Sequence, residues 1–221
     1  MSTDTAVKID AKLVKELREK SGAPMGDCLK ALQETKGDME NACVALRKRG
    51  MASAAKKASR TTNEGAVGTY IHAGGKIGVL VELNCESDFV ARTPEFQELL
   101  RDIAMHIAAT DPRYVRKEDV PPADLEREKD VYRAQALASG KKPEFVEKIL
   151  EGRLNKYYEE FCLLEQPFIK EQTQTIAQII ATKVGKLGEN ISVRRFARFK
   201  VGDPNWTVAQ TAQTTSEEPQ A

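Results

Sequence analysis

Residues 66–84, AVGTYIHAGGKIGVLVELN, decide the fold. Two runs rich in β-branched and apolar residues flank Gly74 and Gly75, which is the pattern of a β-hairpin with its turn at the glycines. The second run, residues 77–83, is nearly continuous in apolar character at its centre, as expected for a strand that is covered by the rest of the fold. We therefore predict a hairpin whose second strand lies in the middle of a sheet.

The segment after the hairpin, NCESDFVARTPEF (residues 84–96), connects that strand to a helix. Thr93 is a good N-cap and Pro94 a good first helical residue, and apolar residues then repeat at helical spacing. The polar connection contains Asp88 and Phe89. Two interpretations stay open: Phe89 folds back onto the helix as a hydrophobic staple while Asp88 favours the helix N-terminus, or both side chains face a partner.

The rest of the larger domain alternates between helices and short strands. Periodicity predicts helices over residues 123–139, 143–159 and 173–187, a short apolar segment over 161–169, and a strand over 190–202 that rejoins the hairpin. This order of elements is typical of an α+β fold, in which a small antiparallel sheet is covered by helices on one side. The domain is predicted to span residues 65–202.

The N-terminal residues 1–50 predict a separate three-helix module. Each of its three short segments with helical periodicity ends at a glycine, and glycine commonly terminates helices. Residues 51–64 are rich in Ala and Lys and predict a linker that is helical in its first half. Residues 203–221 are polar and acidic and predict a disordered tail.

Composition narrows the class of protein. The chain has 221 residues, of which 30% are charged, and this fits a folded protein. No apolar run approaches the roughly 20 residues that span a bilayer, and the N-terminus has no basic-then-apolar signal pattern. We therefore predict a cytoplasmic protein. The four cysteines and two histidines have no metal-ligand spacing, so we predict no metal and no cofactor.

No catalytic motif is present in the sequence. It contains no phosphate-binding loop, no nucleophile elbow and no zinc-protease helix. Cys85 and His106 are the one nucleophile and base that can be paired, but Cys85 ends an apolar strand, and a structural thiol is the favoured interpretation. We predict a protein without covalent chemistry, and a thiol enzyme centred on Cys85 stays open as the alternative.

The N-terminal part carries a mild positive charge. Residues 1–62 contain 13 Lys and Arg against 8 Asp and Glu, which fits an acidic protein surface, a nucleic acid or simple solvation. A nucleic-acid site would use the cluster Lys48, Arg49, Lys56, Lys57 and Arg60. This cluster lacks the interleaved aromatic residues that stack on bases, so the sequence favours a protein partner and no direct nucleic-acid binding.

Four longer motifs carry a resemblance to a known family. They are LVKELREKSGAPMGDCLKAL (residues 13–32), VLVELNCESDFVART (79–93), EGRLNKYYEE (151–160) and GENISVRRFARF (188–199). Together they resemble the short form of bacterial elongation factor Ts, the guanine nucleotide exchange factor for elongation factor Tu. The first motif resembles the family's ubiquitin-associated-like N-terminal module, and the others resemble its core domain.

The resemblance implies a role for the connection after the hairpin. In the family, the Asp-Phe pair docks beside the nucleotide site of elongation factor Tu and moves the elements that hold Mg²⁺ and phosphate. Carried over, this wedge consists of Asp88 and Phe89, with Val90 as support. Ser87 stands where the family usually has Thr, and it keeps the hydroxyl.

The resemblance also implies contacts by the N-terminal module. Leu17, Met25, Lys56 and Lys57 are the residues expected to bind elongation factor Tu there. The sequence departs from the family at Gly26, where a methionine is common, and at Leu29, where a basic residue is common, so the grip is expected to depend mainly on Met25. The resemblance further implies a possible homodimer through the core domain, and no membrane partner.

Overall fold

The computed structural model of the protein describes residues 9–140, 142–203 and 207–210. The helices are α1 (Ala11–Ser21), α2 (Met25–Glu34), α3 (Met39–Lys57), α4 (Asp88–Ala91), α5 (Pro94–Thr110), α6 (Pro122–Ala138), α7 (Pro143–Phe161) and α8 (Ile176–Leu187). The strands are β1 (Glu64–Ile71), β2 (Ile77–Cys85), β3 (Pro167–Phe168), β4 (Glu171–Thr175), β5 (Ile191–Lys200) and β6 (Thr207–Gln210). The predicted α+β class is confirmed.

Helices α1, α2 and α3 form the small N-terminal module. Its core consists of Val14, Leu17, Cys28, Ala31, Leu32, Ala42 and Leu46. Helix α1 ends at Gly22, whose φ of 66° is the left-handed conformation that glycine adopts most readily. Asp38 caps the third helix, because its carboxylate accepts a hydrogen bond from the backbone N–H of Asn41 at 3.0 Å.

The third helix does not end at Gly50 as predicted. Helix α3 continues to Lys57, so the predicted helical first half of the linker is part of it. A Cβ added at Gly50 would lie 3.7 Å from the carbonyl oxygen of Ala181, and one added at Gly185 would lie 3.3 Å from the Gly50 Cα. Gly50 therefore serves close packing between α3 and α8 rather than helix termination.

The main sheet has four strands in the order β1-β2-β5-β6. The hairpin predicted from residues 66–84 is confirmed, with the backbone N–H of Gly75 donating to the carbonyl of His72 at the turn. Strand β2 lies between β1 and β5, so the predictions of a central strand and of a later strand that rejoins the hairpin are both confirmed. A second, two-stranded sheet pairs β3 with β4 in antiparallel fashion.

Helix α5 covers one face of the main sheet. A Cβ added at Gly68 in β1 would lie only 2.6 Å from Leu100 Cγ, so glycine is required at this close approach. The buried Arg198 of β5 donates to the carbonyl of Ala108 at the end of α5 and forms an ion pair with Asp111 at 3.1 Å. These contacts fix the last turn of α5 against β5.

The opposite face of the sheet carries exposed apolar side chains. Glu82 and Arg195 pair across β2 and β5 at 2.6 Å, which shows that alternate residues along these strands share that face. Ile71 lies against Gly78 from the neighbouring strand. The exposed apolar residues of the face, called the outer sheet face below, are Val67, Ile71, Leu80, Phe199 and Val208.

The prediction of a disordered tail over residues 203–221 is wrong for Thr207–Gln210. These residues form β6 and pair antiparallel with β5, with Ala209 opposite Phe196 and Val208 opposite Ala197. Ala209 is buried, whereas the neighbouring Val208 is exposed. Backbone hydrogen bonds at a sheet edge explain why a polar segment gains order here. The remaining part of the predicted tail after Asp203 lies outside the described residues.

The helix predicted over residues 173–187 begins later, at Ile176. The preceding residues form β4, whose polar sequence EQTQT contains two β-branched threonines. The backbone N–H of Ile176 donates to the carbonyl of Gln166, which closes the β3-β4 hairpin. The helices predicted over 123–139 and 143–159 are confirmed as α6 and α7, with small shifts at their ends.

The chain divides into two compact units. The first consists of Met1–Gly65, Cys85–Phe96 and Gln178–Ser192, and the second consists of Ala66–Asn84, Gln97–Ala177 and Val193–Ala221. This division differs from the predicted boundary near residue 65, because α3 approaches α8 closely and the carbonyl of Arg60, after α3, accepts a hydrogen bond from Asn190, after α8. No helix among the described residues is long and apolar enough to cross a membrane.

A buried polar network joins α5 to the segment before β3. His106 Nε2 lies 2.9 Å from Gln166 Oε1, which also accepts a hydrogen bond from the Thr110 hydroxyl at 2.9 Å. The ring therefore donates through Nε2 in its neutral form, and its Nδ1 has no hydrogen-bond partner among the described residues. Burial lowers the pKa of His106, and the bond to Gln166 opposes this only in part.

The free energy of unfolding is expected to fall as the pH drops below about 6.5, the pKa of an unfolded histidine. Below that pH the unfolded chain binds a proton that the folded, buried His106 does not, so the loss continues until the lowered pKa of the folded state is reached. The slope from one proton is at most about 1.4 kcal/mol per pH unit. Denaturant titrations on both sides of pH 6.5 measure it.

The exposed His72 provides the matched control, since it is the only other histidine in the chain. We expect His106→Gln to lose this part of the pH dependence and His72→Gln to keep it. Equal slopes for the two variants would contradict the assignment to His106.

Candidate functional site

The turn between β2 and α5 is capped at both ends. Ser87 precedes α4 in an extended conformation, with φ of −130° and ψ of 152°, and its hydroxyl accepts a hydrogen bond from the backbone N–H of Val90 at 3.4 Å. The predicted N-cap of α5 is confirmed, because Thr93 Oγ1 accepts from the backbone N–H of Phe96 at 3.3 Å. The short α4 is thus held between two caps, and we call residues 86–90 the wedge turn.

Phe89 protrudes from the wedge turn. Its side chain is 77% exposed, so the interpretation that it folds back as a hydrophobic staple is wrong. The next residue, Val90, is only 6% exposed and anchors the same helical turn in the protein interior. Asp88 forms an exposed ion pair with Arg92 at 2.6 Å. The structure therefore places Val90 beneath the turn, and places Asp88 and Phe89 on its surface.

A single carboxylate holds the start of the wedge turn. Glu189 Oε2 accepts hydrogen bonds from the backbone N–H groups of Glu86 at 3.2 Å and Ser87 at 3.0 Å. Glu189 Oε1 accepts from the Ser87 hydroxyl at 2.6 Å. Three donors converge on one charged group, and hydrogen bonds to an ionised acceptor are stronger than neutral ones.

The pairing is reciprocal. The backbone N–H of Asn190 donates to Glu86 Oε1 at 2.6 Å, and its side-chain amide donates to the carbonyl of Arg60 at 2.9 Å. The Arg60 guanidinium in turn lies 3.3 Å from Glu86 Oε1. The bond from Asn190, with a smaller contribution from Arg60, lowers the pKa of Glu86. The wedge turn is therefore fixed to both the segment after α8 and the segment after α3.

Sequence reasoning did not identify Glu189 or Asn190 as part of the site. The available signal was a short polar sequence, GEN, between the end of a helix and the start of an apolar strand. Such a segment contributes no apolar side chain to the core. It precedes β5, which is the neighbour of β2 in the sheet. Its position thus brings it to the end of β2, where the wedge turn begins.

Cys85 does not have the properties of a nucleophile. The residue is fully buried, and its Sγ donates to the carbonyl of Ser87 at 3.1 Å. Burial, followed by the charge of Glu189, raises the pKa of the Cys85 thiol to about 11. His106 is engaged with Gln166 as described above. The alternative of a thiol enzyme therefore has no support in the geometry, and no cluster of metal-ligating side chains occurs among the described residues.

The predicted contact residues of the N-terminal module differ in exposure. Leu17 is fully buried in the module's core, so a direct contact with a partner is not available to it. Met25 is 49% exposed and Leu29 is 38% exposed, and these residues lie one turn apart on α2. A Cβ at Gly26 would meet nothing within 4 Å, so the surface between them is open.

The basic cluster of the N-terminal part is largely engaged within the protein. Arg49 pairs with Glu34, Arg60 pairs with Glu86, and the Lys57 ammonium donates to the Ser53 hydroxyl at 2.9 Å. Lys48 and Lys56 are exposed. Three of the five basic residues of the cluster are thus engaged in ion pairs or hydrogen bonds within the protein, and the described contacts give no separate argument for a nucleic-acid site.

Comparison with known proteins places this geometry in a family. The family model described as "Elongation factor TS" matches residues 51–203, which include the wedge turn and the segment that holds it. The chain belongs to the elongation factor Ts family. It is therefore a translation elongation factor, and the resemblance drawn from the four sequence motifs is confirmed.

Individual members of the elongation factor Ts family match nearly the whole chain. Elongation factor Ts of Koribacter versatilis is 64% identical over 215 residues, covering 97% of this chain and 98% of the relative. Elongation factor Ts of Solibacter usitatus is 60% identical, covering 97% and 99%. Elongation factor Ts of Geobacter sulfurreducens is 57% identical, covering 89% and 91%.

The raised pKa of Cys85 has a direct chemical consequence. With a pKa of about 11, roughly one thiol in a thousand is ionised at pH 8, and burial restricts access further. Cys43 is the one cysteine of the four that is partly exposed. We expect brief alkylation of the native protein, followed by peptide mass spectrometry, to label Cys43 and to leave Cys85 unmodified until the chain is unfolded. Early labelling of Cys85 would contradict this assignment.

Proposed function

We propose that this chain is the guanine nucleotide exchange factor for elongation factor Tu and that it acts in the cytoplasm. It binds the GDP-bound partner, promotes release of GDP and lets GTP rebind. Asp88 and Phe89 form the wedge that disturbs the Mg²⁺ and phosphate site of the partner. The observation that carries this proposal is the exposure of Phe89 on a turn that is fixed from both ends.

The magnitudes are consistent with one aromatic wedge. A thousandfold weakening of nucleotide binding requires about 4 kcal/mol of differential contact. Burial of one phenylalanine side chain contributes about 1.5–3 kcal/mol. Loss of favourable contacts to Mg²⁺ and phosphate in the partner supplies the remainder, so the wedge needs no second aromatic side chain.

The proposed activity needs no covalent chemistry. An exchange factor binds the nucleotide-free partner more tightly than the loaded one, and by linkage the nucleotide weakens the factor's binding to the same extent. The nucleotide and the metal belong to the partner. Because the partner supplies the nucleotide and the metal, this chain needs no phosphate-binding loop of its own. We therefore class the protein as a non-enzymatic factor without a cofactor.

Asp88 can exchange its ion-pair partner at a small cost in free energy. Its ion pair with Arg92 is exposed, and exposed pairs typically contribute about 0–1 kcal/mol. A cation or a set of backbone N–H groups on elongation factor Tu can therefore replace Arg92 on docking. Phe89 is already 77% exposed, so docking requires little change within this protein at that side chain.

The N-terminal module contributes a second contact in this proposal. Met25 is its main apolar contact, Leu29 adds to the same strip of α2, and Lys56 and Lys57 supply positive charge after it. Leu17 stabilises the module from inside and is not part of the contact. The open surface at Gly26 makes this grip smaller than one with a side chain at that position.

Substitution of Phe89 tests the wedge. Release of a fluorescent GDP analogue from elongation factor Tu, followed by stopped flow, is expected to accelerate with the unmodified chain. Phe89→Ala should lower the saturating release rate by at least about tenfold, because roughly 1.4 kcal/mol or more of differential contact is lost. The exposed position of Phe89 implies that the fold is unchanged.

Phe145→Ala is the matched control, since Phe145 is also exposed but lies on α7. It should exchange at the full rate. Unimpaired release by Phe89→Ala would exclude the wedge, and no acceleration by the unmodified chain would exclude elongation factor Tu as the exchange partner.

We also propose that two copies associate through the core domain, by the outer sheet face. This face exposes several large apolar side chains side by side, whereas scattered single residues are the rule on monomers. The α5 side of the sheet is covered within the chain, whereas the residues that the structure describes leave the outer sheet face open to a second copy. Association would remove its apolar surface from water.

A charge at the centre of the outer sheet face is expected to prevent this association. Leu80→Lys places an ammonium group on β2, one of the two inner strands of the sheet. Burial of this charge against a second copy is unfavourable. Sedimentation velocity over a concentration series measures the dimer fraction. Phe145→Lys, on the exposed part of α7, serves as the control. A dimer that persists in Leu80→Lys would place the interface elsewhere.

A further inference from the structure

The wedge turn owes its shape to a residue that lies outside it in sequence. Glu189 is 102 positions from Ser87, yet its carboxylate accepts from both backbone N–H groups at the start of the turn and from the Ser87 hydroxyl. These two N–H groups precede α4 and have no place in its helical bonding. Without Glu189 they need another acceptor, and the Ser87 hydroxyl loses its own acceptor as well.

We propose that Glu189 is the positioning residue of the exchange reaction: it fixes the wedge turn so that Phe89 is presented rigidly to the partner. The inference rests on the proposed function, since it concerns the same wedge. Glu189 does not touch the partner in this mechanism. It acts through Ser87, which joins the carboxylate to the first turn of α4 by accepting from the Val90 N–H while donating to Glu189.

Rigidity matters because the wedge must deform its partner. If the turn yields on docking, the free energy gained by burying Phe89 goes into rearranging the turn, and the elements around Mg²⁺ in the partner stay in place. A group held in its bound geometry before docking avoids that loss. A fixed wedge turn therefore converts apolar burial into distortion of the nucleotide site.

The chemistry of the site favours glutamate over its nearest replacements. Both carboxylate oxygens are used, Oε2 for two N–H donors and Oε1 for the hydroxyl. Glutamine keeps one acceptor oxygen and replaces the other with an NH₂ group, which either faces the two backbone N–H donors or takes the place of the acceptor for the Ser87 hydroxyl. Aspartate keeps both oxygens but is one methylene shorter, so it does not reach the same three donors.

The second contact of this segment supports the same role. Asn190 donates its backbone N–H to the Glu86 carboxylate and its side-chain amide to the carbonyl of Arg60. The wedge turn thus donates hydrogen bonds to Glu189 and accepts one from Asn190, the next residue in the chain. A link of this kind resists rotation of the turn better than a single hydrogen bond does.

The test uses the full chain with Glu189→Gln, and with Ser87→Ala as a milder variant that removes only the hydroxyl bonds. The first readout does not involve the partner: amide hydrogen exchange at Glu86 and Ser87 should accelerate at least about tenfold in Glu189→Gln, since the ionised acceptor of their hydrogen bonds is replaced by a neutral amide, which is a weaker acceptor. Glu151→Gln, an exposed glutamate on α7, is the matched control. Unchanged protection of both amides would overturn the inference.

The second readout separates rate from affinity. In GDP release from elongation factor Tu, Glu189→Gln should lower the saturating rate at least about tenfold, while the concentration for half-saturation changes much less because the N-terminal module is intact. Ser87→Ala should fall between this variant and the unmodified chain. A loss confined to half-saturation, with the saturating rate unchanged, would overturn the inference.

A double substitution distinguishes positioning from general damage. When Phe89 is already alanine, Glu189→Gln should cause little further loss, because the side chain that it positions is gone. Losses that multiply would show an independent structural role and overturn the inference. A slow Phe89→Ala beside a fully active Glu189→Gln overturns this inference alone, whereas a fully active Phe89→Ala overturns the proposed wedge and the inference with it.

Discussion

The reciprocal pairing of Glu86 and Ser87 with Glu189 and Asn190 is the interaction on which the candidate site depends. Each pair supplies a carboxylate for the backbone N–H groups of the other. Neither segment belongs to a helix or to the sheet at these positions, so neither can satisfy its backbone internally. Two short polar segments that lie more than a hundred residues apart thereby complete each other.

The sheet brings these segments together. Strand β2 ends just before one of them, β5 begins just after the other, and the two strands are neighbours. The apolar pattern that places β2 in the centre of the sheet therefore also determines where the wedge turn emerges. Packing fixes the position of the turn, hydrogen bonding fixes its shape, and α4 then separates an exposed Phe89 from a buried Val90 within one helical turn.

Much of the fold was predictable from local signals. The hairpin, the central strand and the α5 cap depend on turn residues, apolar period and a threonine next to a proline, all of which are read within about ten residues. The fate of Phe89 was not predictable in this way. A folded-back and an exposed Phe89 are compatible with the same local sequence, and the turn that carries Phe89 is held by Glu189, whose contact with the turn is long-range.

Two other features of the structure are also not indicated by the local sequence pattern. By helical spacing Met25, Cys28, Leu29 and Leu32 lie on one side of α2, but a module of three short helices has too small a core to cover them all, and Met25 and Leu29 remain exposed. Strands β4 and β6 have a weak sequence signal, because β4 is polar and β6 is only four residues long. Such strands gain order from backbone pairing, which leaves a weak trace in the side-chain pattern.

Strand β6 lies beyond the residues that the family model matches, which end at 203. An open sheet edge accepts almost any extended segment, because its unpaired backbone groups bond without regard to side-chain identity. Here a four-residue segment with one small inward side chain, Ala209, is enough. The edge of β5 is thus a place where the sheet gains a fourth strand from a segment that contributes little apolar surface.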